Sequence, residues 1–319
     1  MSAAGHERRR TMPPGGRLGF FNGPDGAALR YGLWAPLAAP SLGSVLVLGG
    51  RGEFIEKHFE TYADLLDRGF GVATIDWRGQ GLSARWPGLA DKDHLTDYRM
   101  RRADLDLFVR QILRRKLPGP YYVIAHSMGG HIMAHHLHDH PNDFARAVLC
   151  SPMIAVKFSP LMRAVSATLT ALMHRLGRDD AYLPGQGPYD GQRRGYETRD
   201  FLTTDPDRYW DEVAAIKANP ALAPGGMTFG WLRATMASVR ALNAPGYPEA
   251  IATPMLVLLS EDERLVDNDA AIAFAKRVPD ARVVTIAGAR HELLKENDHI
   301  RRQVWGQIMR FFKTPAPPG

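Results

Sequence analysis

Six short runs of valine, isoleucine and leucine recur along this chain and constrain its fold more than any other feature of the sequence. They are SVLVLGG (44–50), FGVATID (70–76), YYVIAHS (121–127), ARAVLCS (145–151), PMLVLLS (254–260) and ARVVTIA (281–287). Each run is nearly continuous in apolar residues and does not alternate with polar ones. This pattern is typical of strands that are covered on both faces, and such strands belong to parallel sheets.

The segments between these runs have the periodicity of helices. In 99–116 the apolar residues recur at helical spacing, and they are Leu105, Phe108, Val109, Ile112 and Leu113. A second set precedes Gly69, a plausible glycine after a helix end, and consists of Phe59, Tyr62, Leu65 and Leu66. Upstream, RLGFF and LRYGLW flank the turn-rich NGPDGA and predict an antiparallel hairpin at the sheet edge. The sequence therefore predicts an α/β fold, with a mostly parallel central sheet and helices on both faces.

The alternation of strands and helices stops between Pro152 and about Pro248. This stretch has helical pieces rich in Met, Leu, Ala and Tyr between Pro/Gly loops, and it is too long to be a loop. We therefore predict a core of residues 17–151 and 251–313, interrupted by a helical cap at 152–250 over the carboxyl edge of the sheet. Residues 1–16 and 314–319 are predicted to be disordered ends.

Charge leaves the partners of the chain open. A net charge of +6 and a pI of about 9.5 are compatible with peripheral contact with an anionic membrane, but surface arginines that serve solubility alone account for them more simply. The arginines cluster at the N-terminus and on a predicted helix, at Arg8, Arg9, Arg10, Arg99, Arg101 and Arg102. No nucleic-acid partner is expected, because no basic stripe is interleaved with aromatic residues. With neither a signal peptide nor a span of ~20 apolar residues, a cytoplasmic location is expected, free or at the inner face of the membrane.

One motif carries chemistry. The strand YYVIA runs directly into AHSMGG (125–130), which opens a helix. This is a G-x-S-x-G nucleophile elbow with alanine in place of the first glycine. Small residues are needed because the tight turn holds the serine in a strained conformation with its hydroxyl exposed. The motif predicts Ser127 as a nucleophile.

A serine hydroxyl needs a base that removes its proton. His291 follows the last predicted strand, in the loop GARHE (288–292). An acid is expected after the preceding strand, where the chain reads EDERLV (261–266). The order of serine, acid and histidine along the chain is that of α/β-hydrolases. Glu263 and Asp262 are both candidates for the acid.

Four segments of the chain resemble the monoacylglycerol lipase and bacterial lysophospholipase family of α/β-hydrolases, including its lysophospholipase L2-like and serine aminopeptidase-type members. They are GGRGEFIEKHFETY, DWRGQGLS, AHSMGG and GARHELLKEND. The segment DPDRYWDEVAAIKANPALAPGGMTFGWL of the predicted cap also looks like the bacterial lysophospholipases. The resemblance covers most of 17–313 and weakens in the insertion.

The resemblance implies a serine hydrolase that cleaves the ester of a single-chain lipid, a lysophospholipid or a monoacylglycerol, without cofactor or metal. It implies an oxyanion hole made of the backbone N–H groups of Met128 and Arg51. The family often has His-Gly where this chain has Gly49-Gly50, and a backbone donor survives that change.

The same resemblance bears on the acid of the triad. The family has an aspartate followed by Arg, two apolar residues and another Asp. Aligning Arg264 to that pattern puts Glu263 in the position of the aspartate, with Asp262 one residue away. The alignment favours Glu263, because a glutamate can also orient a histidine.

Other functions remain open at this point. A general carboxylesterase and an aminopeptidase would use the same triad, and a non-catalytic binding module could keep the scaffold. A serine nucleophile disfavours the dehalogenase and epoxide-hydrolase chemistries of this fold, which need an aspartate in that position. The sequence gives no prediction of the oligomeric state.

Two groups of side chains have more than one interpretation. His131, His135 and His138 recur at i, i+4 and i+7, with His136 and His140 nearby, a spacing that could bind a metal. Because the helix after the elbow normally packs against the sheet, we expect structural roles for them. Five methionines of the insertion either line a flexible acyl pocket or form the core of the cap, and they are Met153, Met162, Met173, Met227 and Met236.

Overall fold

The computed structural model of this protein describes residues 3–37, 39–191 and 195–313. Within these ranges an eight-stranded sheet forms the centre of the molecule. The strands, including a separate pair, are β1 (Arg17–Asn22), β2 (Ala28–Trp34), β3 (Ser44–Leu48), β4 (Gly71–Ile75), β5 (Lys92–Asp93), β6 (Tyr121–His126), β7 (Arg146–Cys150), β8 (Gly226–Met227), β9 (Met255–Ser260) and β10 (Ala281–Ile286). The predicted disordered tail, 314–319, lies outside the described residues.

The order of the strands in the sheet is β1-β2-β4-β3-β6-β7-β9-β10. The strands from β4 to β10 pair in parallel, whereas β1 with β2 and β2 with β4 pair antiparallel. The short strands β5 and β8 form a separate parallel pair. The predicted mostly parallel α/β sheet, with a hairpin at its edge, is therefore confirmed.

Helices stand before the first strand and between most of the later strands. They are α1 (Ala3–Arg10), α2 (Phe59–Asp67), α3 (Arg99–Phe108), α4 (Arg114–Lys116), α5 (Met128–Asp139), α6 (Pro160–Arg175), α7 (Tyr196–Arg199), α8 (Pro206–Ala218), α9 (Phe229–Leu242), α10 (Asn268–Ala275) and α11 (Asp298–Lys313). A π-helical turn, Val109–Leu113, joins α3 to α4. None of the helices in the described ranges combines the length and apolarity that crossing a bilayer requires.

Both faces of the sheet are covered because successive residues of a strand point to opposite sides. Leu46 of β3 belongs to the cluster that contains Phe108 of α3 and Ile132 of α5. Val47, the next residue, belongs to the cluster that contains Trp305 of α11. This two-sided burial is the reason why the central strands are apolar along their whole length.

The edge strand β10 departs from this pattern. Its residues Arg282, Val283 and Thr285 are exposed, although the run ARVVTIA was predicted to be covered on both faces. In the sheet β10 has β9 as its neighbour on one side only. An edge position therefore explains the exposure, and periodicity alone does not reveal it.

The N-terminal segment 1–16, predicted to be disordered, contains the helix α1. Arg9 of α1 is buried and pairs with Asp211 of α8. Arg8 lies 2.6 Å from a carboxylate oxygen of Asp67 in α2. The prediction overlooked this helix because ion pairs to partners far along the chain hold it, and such pairs leave no local apolar periodicity.

The predicted cap at 152–250 contains α6 to α9 and β8. Helix α9 packs into the main hydrophobic core through Trp231, Leu232 and Leu242. Helix α8 instead contacts the core mainly through ion pairs, and its Ile216 packs with Phe54 in a separate small apolar cluster. Arg208 of α8 lies 2.7 Å from Glu60 of α2, and it also pairs with Asp205 and with Asp298 of α11. The two helices therefore attach to the core by different chemistry.

Candidate active site

The turn between β6 and α5 holds Ser127 in an unusual backbone conformation. Its φ is 50° and its ψ is −115°, a region that side-chain-bearing residues rarely adopt. The N–H of Ser127 donates to the carbonyl of Cys150 at 3.0 Å. The carbonyl of Ser127 accepts from the N–H groups of His131 and Met153 at 3.1 and 3.0 Å. These hydrogen bonds hold the strained turn in place.

Close packing under the turn explains the small residues of the motif. A Cβ atom on Gly129 would lie 2.5 Å from the carbonyl oxygen of Gly49 and 2.9 Å from that of Leu48. A Cβ atom on Gly130 would lie 2.9 Å from the Cβ of Pro152. Helix α5 can therefore begin between the end of β3 and the segment after β7 only when these positions lack side chains.

His291 is in hydrogen-bonding contact with the serine. Its Nε2 lies 3.0 Å from the Oγ of Ser127, and both side chains are buried. His291 is located in the loop after β10, beyond Gly288, whose φ is 69°. The structure thus brings together the two residues that the sequence motif and the strand order had singled out.

Glu263, in the loop after β9, lies on the other side of His291. Its two carboxylate oxygens are 2.9 and 3.0 Å from Nδ1 of His291. The carboxylate also accepts hydrogen bonds from the hydroxyl of Ser260 at 2.7 Å and from the N–H of Leu265 at 2.8 Å. Burial acts to raise the pKa of Glu263, but hydrogen bonding and charge attraction from His291, together with the bond from Ser260, outweigh burial and lower the pKa to about 2.

The neighbouring residue Asp262 is directed elsewhere. Its carboxylate pairs with Arg264 at 2.8 Å and lies 3.6 Å from Arg290. The side chain of Asp262 is 43% exposed, whereas that of Glu263 is 2% exposed. Of the two candidate acids, the structure places Glu263 against the histidine.

The two residues predicted to form the oxyanion hole lie beside the serine. Met128 is the first residue of α5, where a backbone N–H has no acceptor within the helix. Arg51 follows β3 and lines the same cavity as Ser127. A guanidinium nitrogen of Arg51 lies 3.7 Å from the carboxylate of Asp93.

The sequence did not predict a buried contact behind this loop. Arg101 was counted among the arginines of a surface cluster, but its side chain is fully buried. One guanidinium nitrogen of Arg101 lies 2.9 Å from the carboxylate of Asp93, and the other lies 2.9 Å from the sulfur of Met128. Arg101 therefore connects the surroundings of both predicted oxyanion donors. Helical spacing could have indicated its burial, because Arg101 is four residues before Leu105 on the apolar face of α3, whereas the exposed Arg99 is not on that face.

A cavity of about 360 Å³ opens over Ser127 and His291. One wall is apolar and comes mainly from residues of 152–250 and from the loop after β9. The lining residues of this wall are Met153, Val156, Phe158, Leu183, Phe201, Leu202, Pro224, Met227, Trp231, Leu232, Leu265 and Val266. Of the five methionines considered above, Met153 and Met227 line the cavity, whereas Met162 is exposed and Met173 and Met236 are half-buried.

A second part of the cavity lining, called the charged wall below, consists of charged and buried residues. The ammonium of Lys57 lies 2.7 Å from Glu292, 2.8 Å from Glu212 and 3.1 Å from Glu53. Burial acts to lower the pKa of Lys57, but the attraction of the three carboxylates holds it well above its usual value. His126 extends this wall, because its ring nitrogens lie 3.2 Å from Glu53 and 3.1 Å from the carbonyl oxygen of His291.

The sequence did not reveal this charged wall. Its members come from the loop after β3, the residue before Ser127, the helix α8 and the residue after His291. Only their positions in the fold bring them together, so no spacing in the sequence indicates the cluster.

Two histidines of α5 contact the helical insertion. His131 lies 3.0 Å from the carbonyl of Met153 and 2.7 Å from the hydroxyl of Ser238. His135 lies 2.6 Å from the hydroxyl of Tyr247. These hydrogen bonds give both histidines structural partners.

A comparison with known families decides the classification. Residues 39–298 match the family described as serine aminopeptidase, S33. The chain belongs to the S33 family. Within this family, nothing about the substrate follows from the family name alone.

Curated relatives of this S33 protein include two bacterial enzymes and a human one. The lysophospholipase L2 of Escherichia coli (strain K12) is 32% identical over 288 residues, which cover 86% of this chain and 81% of that protein. The probable lysophospholipase L2 of Haemophilus influenzae is 29% identical over 272 residues, 85% of this chain and 84% of that protein. The monoglyceride lipase of Homo sapiens is 25% identical over 299 residues, 89% and 86% of the two chains.

Solved structures share the fold of this S33 protein. A soluble variant of the monoglyceride lipase of Saccharomyces cerevisiae, in complex with a substrate analog, superposes with a TM-score of 0.74 at 21% identity, over 95% of this chain and 97% of that one. A thermostable carboxyl esterase from Bacillus coagulans gives a TM-score of 0.72 at 18% identity, over 94% and 98%. The α/β-hydrolase fold predicted from the sequence is therefore confirmed.

Proposed function

We propose that the protein is a carboxylic ester hydrolase that cleaves a single-acyl-chain lipid, a lysophospholipid or a monoacylglycerol, with Ser127, Glu263 and His291 as its triad. The observation that carries this proposal is the continuous contact from Ser127 through His291 to Glu263, with separations of 3.0 and 2.9 Å. Relatives named lysophospholipase L2 and monoglyceride lipase, aligned over most of their length, support the substrate class.

The chemistry follows from these contacts. Nε2 of His291 takes the proton of the Ser127 hydroxyl while the oxygen attacks the ester carbonyl. The N–H groups of Met128 and Arg51 stabilise the oxyanion of the tetrahedral intermediate, and such donors are worth about 3–4 kcal/mol each.

Glu263 acts on His291 when the histidine is protonated. Its carboxylate stabilises the imidazolium of His291 and keeps Nδ1 protonated. His291 then gives its proton to the departing alcohol oxygen, which leaves an acyl ester on Ser127. Water attacks this ester with His291 as base, and the fatty acid leaves as the serine recovers its proton.

The two walls of the cavity suit the two parts of such a substrate. An acyl chain has no polar group that a protein can bind, so it requires an apolar surface, worth ~0.8 kcal/mol per buried methylene. The wall with Met153, Met227 and Leu232 offers that surface beside the serine. The wall around Lys57 and Glu212 offers charged groups for the polar headgroup.

The exposed surface of α6 supports contact with the membrane that supplies such a substrate. Five apolar residues of α6 and its C-terminal end are at least half exposed, and they are Leu161, Met162, Val165, Leu172 and Leu176. Exposed arginines accompany them at Arg163, Arg175 and Arg178. We propose that this surface, called the α6 face below, binds the cytoplasmic face of an anionic membrane. Phe158, two residues before α6, lines the cavity, so a lipid bound to the α6 face would be close to the entrance.

A substrate panel tests the proposed function. Purified protein is assayed with lysophospholipids, monoacylglycerols, p-nitrophenyl esters and amino-acid p-nitroanilides, and Ser127→Ala is the control for each. We expect the highest kcat/KM with one of the two lipid classes, and labelling by a fluorophosphonate in the wild type only. Preference for the anilides would indicate an aminopeptidase, and failure to label the wild type would indicate a binding module.

A further inference from the structure

A cluster of histidine and aspartate side chains lies at the end of α5 farthest from Ser127. Nδ1 of His136 is 2.7 Å from Oδ1 of Asp106 in α3, and Nε2 of His140 is 3.3 Å from the same oxygen. The rings of His136 and His140 are 4.7 Å apart, centroid to centroid. One nitrogen of each histidine and one oxygen of Asp106 lie within 4.8 Å of one another.

These separations are close to those of a tetrahedral metal site. Zinc binds histidine nitrogen and carboxylate oxygen at about 2.0–2.2 Å, so two of its ligand atoms lie roughly 3.3 Å apart. The His140–Asp106 separation already has this value, and the His136–Asp106 pair needs to open by roughly 0.6 Å. Small side-chain rotations are enough for such a change.

The surroundings of His136 match those of a metal ligand. Its second nitrogen, Nε2, lies 3.0 Å from Oδ2 of Asp143. Asp143 is held in turn by Arg114 at 2.6 Å. A ligating histidine almost always donates its other N–H to a carboxylate or carbonyl, which fixes the orientation of the ring.

The position of the cluster allows an ion to enter. The side chain of His136 is fully buried, whereas those of Asp106 and His140 are 25% and 35% exposed. An ion could therefore approach from solvent through Asp106 and His140 and reach His136 from the exposed side. A water molecule would complete the coordination on that side.

We infer that Asp106, His136 and His140 form a binding site for a zinc-type transition-metal ion, with Asp143 orienting His136. The imidazole and carboxylate donors suit Zn²⁺ better than Ca²⁺ or Mg²⁺, which prefer oxygen ligands throughout. The ion would tie α3 to the C-terminal end of α5, the helix that begins at Ser127. The site is structural and takes no part in the ester chemistry proposed above.

Zinc titration of the metal-free full chain, without a histidine tag, tests this inference. Isothermal titration calorimetry and the visible absorption of bound Co²⁺ report binding, and thermal unfolding with and without ZnCl₂ reports stabilisation. We expect one equivalent to bind with micromolar affinity and to raise Tm by several degrees. His140→Ala and Asp106→Asn should each weaken binding by more than about tenfold, and Asp143→Asn by about tenfold.

His138→Ala is the matched control, because His138 is on the same helix and also pairs with an aspartate, Asp139, at 2.8 Å. It should bind zinc like the wild type. Circular dichroism and p-nitrophenyl ester turnover verify that every variant is folded. Absence of zinc binding in the wild type would overturn the inference, and so would equal binding by wild type and His140→Ala. If His140→Ala proves unfolded, Asp106→Asn on the partly exposed side decides the question.

Discussion

The carboxylate of Glu263 lies 2.9 Å from Nδ1 of His291, although the family pattern that the sequence resembles has the shorter aspartate there. The glutamate is held by the hydroxyl of Ser260 and by the N–H groups of Leu265 and Val266. These bonds fold the longer side chain back over its own loop. The extra methylene is therefore accommodated without displacing the histidine from Ser127.

Replacing the acid should damage the reaction far more than replacing its neighbour. Glu263→Gln removes the charge that stabilises the imidazolium of His291, and we expect kcat to fall by about 10³–10⁴-fold. Asp262→Asn should change kcat by less than about threefold, because Asp262 pairs with Arg264 at the surface. Steady-state kinetics with a p-nitrophenyl ester measures both. A reversed result would assign the role of the acid to Asp262.

Acid should remove the stabilisation that Glu263 provides. The folded-state pKa of about 2 lies below the usual value of 4.5, so the folded protein binds fewer protons than the unfolded chain between these values. The contribution of Glu263 to the free energy of unfolding, roughly 3 kcal/mol, is complete above about pH 5 and is lost as the pH falls toward 2. Urea unfolding of the wild type and of Glu263→Gln should show a stability difference that narrows from pH 6 to pH 3. A constant difference would contradict the lowered pKa.

Two glycine-to-alanine changes should have opposite effects on stability. Gly129→Ala places a Cβ atom 2.5 Å from the carbonyl oxygen of Gly49, and backbone atoms cannot easily move away. We expect the free energy of unfolding to fall by at least about 2 kcal/mol. Labelling of Ser127 by a fluorophosphonate should also be lost. The Cβ atom of Gly306→Ala in α11 would meet no atom of the described residues within 4 Å, and we expect the free energy of unfolding to rise by about 0.5–1 kcal/mol. Thermal unfolding of both variants measures the effects, and equal Tm values would refute the packing argument.

The apolar wall should set a preferred acyl length. With p-nitrophenyl esters from acetate to laurate, kept below micelle-forming concentrations, we expect kcat/KM to rise with chain length until the cavity is full. Leu183→Trp places a larger side chain in the cavity and should move the acyl length with the highest kcat/KM to shorter chains. p-Nitrophenyl acetate, whose acyl group is too short to reach that position, should be hydrolysed equally by wild type and variant. A steady fall in kcat/KM beyond butyrate in the wild type would leave a small-ester hydrolase.

The α6 face should matter for lipid in bilayers and not for dissolved esters. Leu161→Asp and Leu172→Asp introduce negative charge into exposed apolar positions, and we expect sedimentation with anionic vesicles to fall about tenfold or more. Leu37→Asp, at a similarly exposed leucine away from α6, is the control. Added salt should weaken wild-type binding, since the arginines act through charge. Unchanged vesicle binding in both α6 variants would show that the α6 face does not bind the membrane.

Local patterns predicted some parts of this protein and not others. The central strands, the elbow at Ser127 and the loop with His291 were predictable, because two-sided burial and a strained turn each restrict neighbouring residues. The helix α1 and the ion pair of the buried Arg101 were not, because the partners Asp211 and Asp93 are fixed only by the finished fold. For a charged side chain, the sequence shows its presence but not whether it is paired in the interior.

The ionic attachment of α8 has a consequence for protein engineering. Arg208 and Glu212 link this helix to the core through Glu60 and Lys57, whereas much of the apolar wall of the cavity comes from β8, α9 and the loops around them. The ion pair of Arg208 is thus separate from the cavity lining, whereas Leu232 serves both the attachment of α9 and the shape of the cavity. A combinatorial library that varies the partly buried Leu183 and Met227, with α8 and the core residue Leu232 left unchanged, could explore new acyl preferences while both attachments of the insertion are kept.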